Sequence, residues 1–147
     1  MTAKEYLNQI RSCKVKLEND QRRLNELKEM ALATGSKELK ADVVQTSIAN
    51  AGLEDSVGDY VDFEMKIRED IRKYLELEMK IVRQINSLHC GEQTNAYIEL
   101  LLRRYDHGER FETIAIAMNY SYEYVRHLHN EALNSFEEQY RKELENG

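Results

Sequence analysis

Apolar side chains recur along the first part of the chain at alternating steps of three and four. Ala3, Tyr6, Ile10, Cys13, Leu17, Leu24, Leu27 and Ala31 fall on one heptad seam, which Asp20 interrupts at a single inward position. Such a repeat turns one stripe of an α-helix toward a partner helix, so it predicts a coiled-coil-like helix over residues 3–31. Thr34-Gly35 follows, and Gly accepts the left-handed conformation that ends helices, so the helix is expected to stop there. A second stripe holds Tyr60, Phe63, Ile67, Ile71, Tyr74, Leu77, Ile81, Ile85 and Leu88, and predicts a helix of similar length that Cys90-Gly91 closes. Ser56, with Asp59 three positions on, marks its expected start. Residues 36–56 have weaker periodicity around the polar run QTSIAN and are expected to form a long connection with one short helix near 37–44. The two stripes can pair as a hairpin within one chain or between two copies of it in a homodimer, and periodicity does not separate the two.

The last third changes rhythm. Tyr97, Ile98, Leu101, Leu102 and Tyr105 predict a helix over 94–105, closed by His107-Gly108. A short helix over 111–118, a break at Asn119-Tyr120-Ser121 and a longer helix from Tyr122 into the charged tail RKELENG complete the chain. These features meet the needs of a helix-turn-helix motif. Ile114 and Met118 point inward from the first helix, and Ala115 is small enough for a close crossing. Asn119 tolerates positive φ, Tyr120 is expected to plug the turn, and Ser121 caps the second helix. Val125, Leu128 and Ala132 continue the buried stripe, which leaves Tyr122, Glu123, Arg126, His127 and Asn130 outward near the helix start. Their chemistry suits base edges in a major groove. Glu accepts from cytosine N4, Arg and Asn make paired contacts to guanine and adenine, and Tyr packs on a thymine methyl. Ser121 at the start of this helix is counted with them, and Arg110 and Arg126 are the nearest positive charges for the phosphate backbone.

Composition supports a wholly helical reading and narrows the function. Among 147 residues there is no Pro and no Trp, and 33% are charged, which favours an all-α fold. The expected division is a helical hairpin or coiled-coil region over 1–91, with its connection near 34–56, and a helix-turn-helix domain over 92–147. No apolar run reaches the roughly 20 residues of a membrane span and the start lacks a secretory signal, so a cytoplasmic protein with no membrane partner is expected. The net charge of −6 argues against nonspecific nucleic-acid binding, which phosphate neutralisation dominates. Residues 1–40 carry nine Lys/Arg against six Asp/Glu, whereas residues 92–147 carry six against eleven, so any DNA contact in the last third is narrow and local. Cys13 and Cys90 match no metal or redox spacing and read as buried, reduced thiols. His127 and His129 lie two apart and point in different directions, His89-Cys90 is too sparse for zinc, and no acid/base pair stands out. Neither a cofactor, a metal nor a catalytic site is expected.

The run YIELLLRRYDHGERFETIAIAMNYSYEYVRHLHNEALNSF, residues 97–136, resembles region 4 of bacterial primary sigma factors. It is still more similar to phage-encoded sigma-like regulators of Gram-positive hosts, including the ArpU-type and RinA-type activators of late genes. The shared positions are Leu102, Arg104-Tyr105, Gly108, Ile114-Ala115, Met118, Tyr120-Ser121, Val125, Leu128-His129 and Ala132-Leu133, and the upstream run DSVGDYVDFEMKI extends the resemblance to residues 55–136. Three features depart from it: Arg110 stands at the usual Ser/Thr cap, Thr113 at the usual Glu, and Asn119 at the usual Gly. The resemblance implies a DNA-binding transcription regulator of phage or prophage origin, with double-stranded DNA and RNA polymerase as partners. Two other classes share the architecture: a small terminase-like packaging protein, and a helical scaffold or adaptor that binds no DNA.

Overall fold

The protein is described by a computed structural model covering the backbone of residues 1–38 and 46–146 and the side chains of 1–33 and 57–146. Six α-helices and no strand occur among the described residues: α1 (Ala3–Glu38), α2 (Thr46–Asn86), α3 (Thr94–Leu101), α4 (Phe111–Met118), α5 (Tyr122–Gln139) and α6 (Arg141–Asn146). None of them is long and apolar enough to cross a membrane.

Both long helices extend beyond their expected ends. α1 runs past Thr34-Gly35 to Glu38, and α2 begins at Thr46 rather than Ser56. An isolated Gly costs a helix only about 1 kcal/mol relative to Ala, and here the flanking Ala, Leu, Lys and Glu residues favour continuation while no Pro interrupts it. Most of the short helix expected near 37–44 lies outside the described residues. At the other end of α2 the helix stops at Asn86, before Leu88, and Gly91 takes φ 72°.

Packing divides the chain into a core unit, residues 1–13 with 74–147, and a hairpin unit, residues 14–73. This division differs from the expected boundary at residue 91, because the ends of both long helices belong with the C-terminal segment. Tyr6, Leu7 and Ile10 of α1 and Ile81 and Ile85 of α2 share one apolar cluster with Leu100, Leu101, Ile114, Val125, Leu128 and Phe136. Burying such side chains stabilises by roughly 1.5–3 kcal/mol each. Polar clasps fix their register. Tyr6 Oη donates to Gln84 Oε1 at 2.7 Å, Tyr140 Oη donates to the Gln84 carbonyl at 2.8 Å, and Gln139 Nε2 donates to the Ser87 carbonyl at 2.8 Å. At the start of α1 the Thr2 and Glu5 side chains each accept from the other's backbone N–H, at 3.2 and 2.8 Å, a reciprocal cap in which the hydrogen bonds from Thr2, first from its backbone N–H, hold the Glu5 carboxyl below its ordinary range.

In the hairpin unit α1 and α2 run antiparallel within the chain. Lys16 Nζ lies 3.8 Å from Asp70 Oδ2, and Leu27 and Arg23 share a surface depression with Phe63 and Asp59. The heptad seam is thinly buried here: Leu24 and Ile67 are buried, Leu17, Leu27, Tyr60 and Phe63 are half-buried, and Ile71 is exposed. Cys13 and Cys90, both free, are half-buried rather than buried.

Candidate nucleic-acid interface

The chain between α4 and α5 turns within three residues, and its geometry follows from their types. Asn119 ends α4 in the left-handed region at φ 62°, ψ 41°, the one non-Gly residue with positive φ among the described residues. Asn is among the few L-residues that tolerate it. Tyr120 N donates to the Ala115 carbonyl at 2.9 Å and Asn119 N to the Ile116 carbonyl at 3.3 Å, so the last carbonyls of α4 are satisfied as in a Schellman closure. Ser121 then takes an extended conformation and its Oγ accepts from Tyr124 N at 3.1 Å, which starts α5. Arg110 occupies the corresponding position before α4 without any side-chain cap bond. Tyr120 does not plug the turn. It is exposed and meets Tyr124 edge to face, with ring centres 4.8 Å apart, while the buried positions on either side of the turn are Ile114 and Ala115 of α4 and Val125 of α5.

Val125, Leu128, Ala132 and Phe136 form the inner stripe of α5. Its outer face carries two rows near the start, and every expected contact residue, Tyr122, Glu123, Arg126, His127 and Asn130, is exposed there, as is Arg110 before α4. One row is Tyr122, Arg126 and Asn130, with the Arg126 guanidinium 5.9 Å from the Tyr122 ring centre. The other is Glu123 and His127, whose Nε2 lies 2.9 Å from Glu131 Oε1. Glu131 also accepts from Tyr97 Oη of α3 at 3.2 Å, so His127 is held from below. The Ser121 hydroxyl is occupied by its cap.

His129, on the same helix, is buried, a position to which the sequence pattern gives no role. Its Nε2 lies 2.7 Å from Tyr105 Oη and its ring meets Phe111 edge on, at 4.9 Å between centres. Tyr105 is presented by a π-helical turn, Leu102–Asp106, closed by His107 N donating to the Leu102 carbonyl at 3.0 Å. Burial, with the charges of Arg104 and Lys4 nearby, lowers the His129 pKa to about 4, and burial pushes the Tyr105 phenol up to about 12. His129 is therefore neutral at pH 7. Beside it the Tyr122 row meets residues from elsewhere in the chain. Arg126 and Asn130 line a cavity of about 240 Å³ together with Lys4, Asn8 and Arg11 of α1 and with Arg104. None of these last four is among the expected contact residues: Lys4, Asn8 and Arg11 lie outside the C-terminal motif, although they share one helical face and the first forty residues carry excess positive charge, and Arg104 enters the motif only as a shared position.

Comparison with protein-family models, curated proteins and solved structures returns no match for this chain. No three His, Cys, Asp or Glu side chains converge as a metal site among the described residues. The arrangement presents hydrogen-bonding and cationic groups on one rigid helix start, a surface suited to binding.

Proposed function

We propose that the protein is a sequence-specific DNA-binding transcription regulator of phage or prophage origin, with α4 and α5 acting as a sigma region 4-like helix-turn-helix. The observation that carries this reading is the three-residue turn. Asn119 in the left-handed region and Ser121 as a cap orient α5 so that its apolar stripe is covered and Tyr122, Glu123, Arg126, His127 and Asn130 project outward together. In a major groove Glu123 accepts from a cytosine amine, Arg126 and Asn130 face guanine or adenine edges, and Arg110 contacts phosphate. Ser121 positions the helix through its cap rather than through a base. With eleven acidic residues against six basic ones in residues 92–147, affinity draws on a second source: docking on RNA polymerase, or self-association through the long helices. Such a regulator works in the cytoplasm and catalyses no reaction.

The test is selection from a random DNA pool by the full chain, alone and with RNA polymerase, at stated low salt. One enriched consensus is expected. Absence of any enriched sequence in both arms rejects DNA reading, and a ring-shaped oligomer that binds DNA without sequence preference replaces it with the packaging function.

A further inference from the structure

Lys4, Arg11, Arg104 and Arg126 converge on the cavity beside His129, and no Asp or Glu lines it. Several cations elsewhere in this acidic chain find carboxylates. Arg103, adjacent to Arg104, is bonded to both Glu99 and Glu109 at 3.1 and 3.2 Å, and Lys16, Arg23 and Arg68 each face an acid. Among the described residues none of the four converging cations has a carboxylate partner. Arg104 donates to the Glu109 carbonyl at 3.1 Å and lies 4.2 Å above the Phe111 ring, which aims its guanidinium without neutralising it. Four like charges held around one recess repel each other, and an anion between them relieves that repulsion. The volume, about 240 Å³, falls below the roughly 300–1,000 Å³ of pockets for drug-sized ligands, so the anion is small or is one group of a larger molecule.

We propose that this recess is a phosphate-binding site, in which Lys4, Arg11, Arg104 and Arg126 hold one phosphate group and the Asn8 and Asn130 amides donate hydrogen bonds to it. A guanidinium fork matches two phosphate oxygens and an ammonium supplies a point charge, so the set combines orientation with attraction. The phosphate comes from one of two sources, a DNA backbone or a free phosphate ligand. In the first case the inference rests on the DNA reading above but turns Arg126 and Asn130 from base edges to the backbone, leaving Tyr122, Glu123 and His127 to face the bases: a phosphate clamped between α1 and α5 fixes the register of α5 on the duplex, as backbone contacts do. In the second it stands without that reading. His129 supplies an internal reporter. Arg104, Lys4, Tyr105 and Phe111 surround it, and an anion placed among the two cations raises its pKa from about 4 toward the ordinary value.

Calorimetric titration of the full chain with inorganic phosphate, and separately with a DNA duplex at several salt concentrations, tests the site. The variants are Lys4→Gln/Arg11→Gln, whose side chains are exposed, and Arg141→Gln/Lys142→Gln as a charge-matched control away from the recess. Binding of one phosphate per chain, weakened tenfold or more by the first pair and unchanged by the second, is expected, together with an upward shift in the His129 titration followed by NMR. If the first pair also weakens DNA binding and lowers the salt slope by about 1, the phosphate belongs to DNA. If DNA binding is unchanged by it, the ligand is free phosphate. Phosphate binding without any DNA binding keeps the site and rejects the DNA reading. Loss of DNA affinity with a reduced salt slope in the first pair alone supports the site even where inorganic phosphate is too weak to detect. Equal behaviour of both variant pairs toward phosphate and DNA, or no binding of either by the wild type, overturns the proposal.

Discussion

In the core unit Leu7, Ile10, Ile81, Ile85 and Phe136 have lost all contact with solvent, whereas the hairpin unit buries only Leu24 and Ile67 among its described residues. The same two helices supply both regions, with the same apolar repeat. What differs is the number of partners. In the core unit the inward side chains of α1 and α2 join one cluster with residues of α3, α4 and α5, so they are enclosed on several sides. In the hairpin unit, among the described residues, each stripe meets one other helix. The hairpin seam also contains carboxylates: one oxygen each of Asp20 and Asp70 is buried without a hydrogen bond. Periodicity thus reports which side of a helix turns inward, and the number of neighbours decides how much that side is worth.

Truncations break this comparison most strongly. Phe136→Ala is expected to cost about 3–5 kcal/mol, and Leu7→Ala about 2–5, because both side chains are fully enclosed. Leu17→Ala, half-buried in the hairpin, should cost about 1 kcal/mol, since less apolar surface is returned to water. Urea unfolding measures all three, and equal losses in the two units would show that the hairpin is as well packed as the core.

Acid should separate the units next. His129 has a folded-state pKa near 4 against 6.5 for the ordinary side chain, so the unfolded chain takes up its proton first. Its contribution is complete above pH 6.5 and is lost as pH falls toward 4, with a slope of about 1.4 kcal/mol per pH unit. His129→Gln should flatten unfolding free energy against pH over that window. A curve unchanged by the substitution would place the acid sensitivity elsewhere.

A smaller effect runs in the opposite direction. Asp20→Leu restores the heptad and removes a buried, unbonded oxygen, so the hairpin should gain about 1–2 kcal/mol. Hydrogen exchange is expected to slow over residues 14–33 and 57–73, while faster exchange there would mean that Asp20 holds the pair together. Smallest is the cap: Ser121→Ala should cost about 1 kcal/mol and fray the first turn of α5, seen as faster exchange at Tyr124 N. Unchanged exchange at that amide would show that the cap does not hold the turn.

The local structure of the last third was readable because its signals are local. Asn119 and Ser121 specify a turn and a cap from residue type, and the spacing of Ile114, Val125, Leu128 and Ala132 specifies the inner stripe. The continuation of α1 through Gly35 was not readable, because helix-favouring neighbours outweigh one weak stop signal. Nor was the company that Tyr6 and Ile10 keep: the heptad marks them as inward but does not say that α5 is among their neighbours. The same limit hid the recess, since Lys4 and Arg11 join Arg104 and Arg126 only after α1 packs into the core unit. No role was legible for His129, since with His127 it fits no metal site and its neighbours His127 and Asn130 face outward. Its direction follows from the stripe of Val125, Leu128 and Ala132, which passes beside it.

The central claim, that the outer face of α5 reads bases, is tested most directly by selecting sequences from a random DNA pool with Glu123→Ala beside the wild type. Glu123 is exposed at the start of α5 and removal of its carboxylate leaves the inner stripe untouched. The account predicts that the wild-type consensus persists except at one base pair, where preference relaxes by roughly 1–3 kcal/mol. A consensus identical at every position would contradict it.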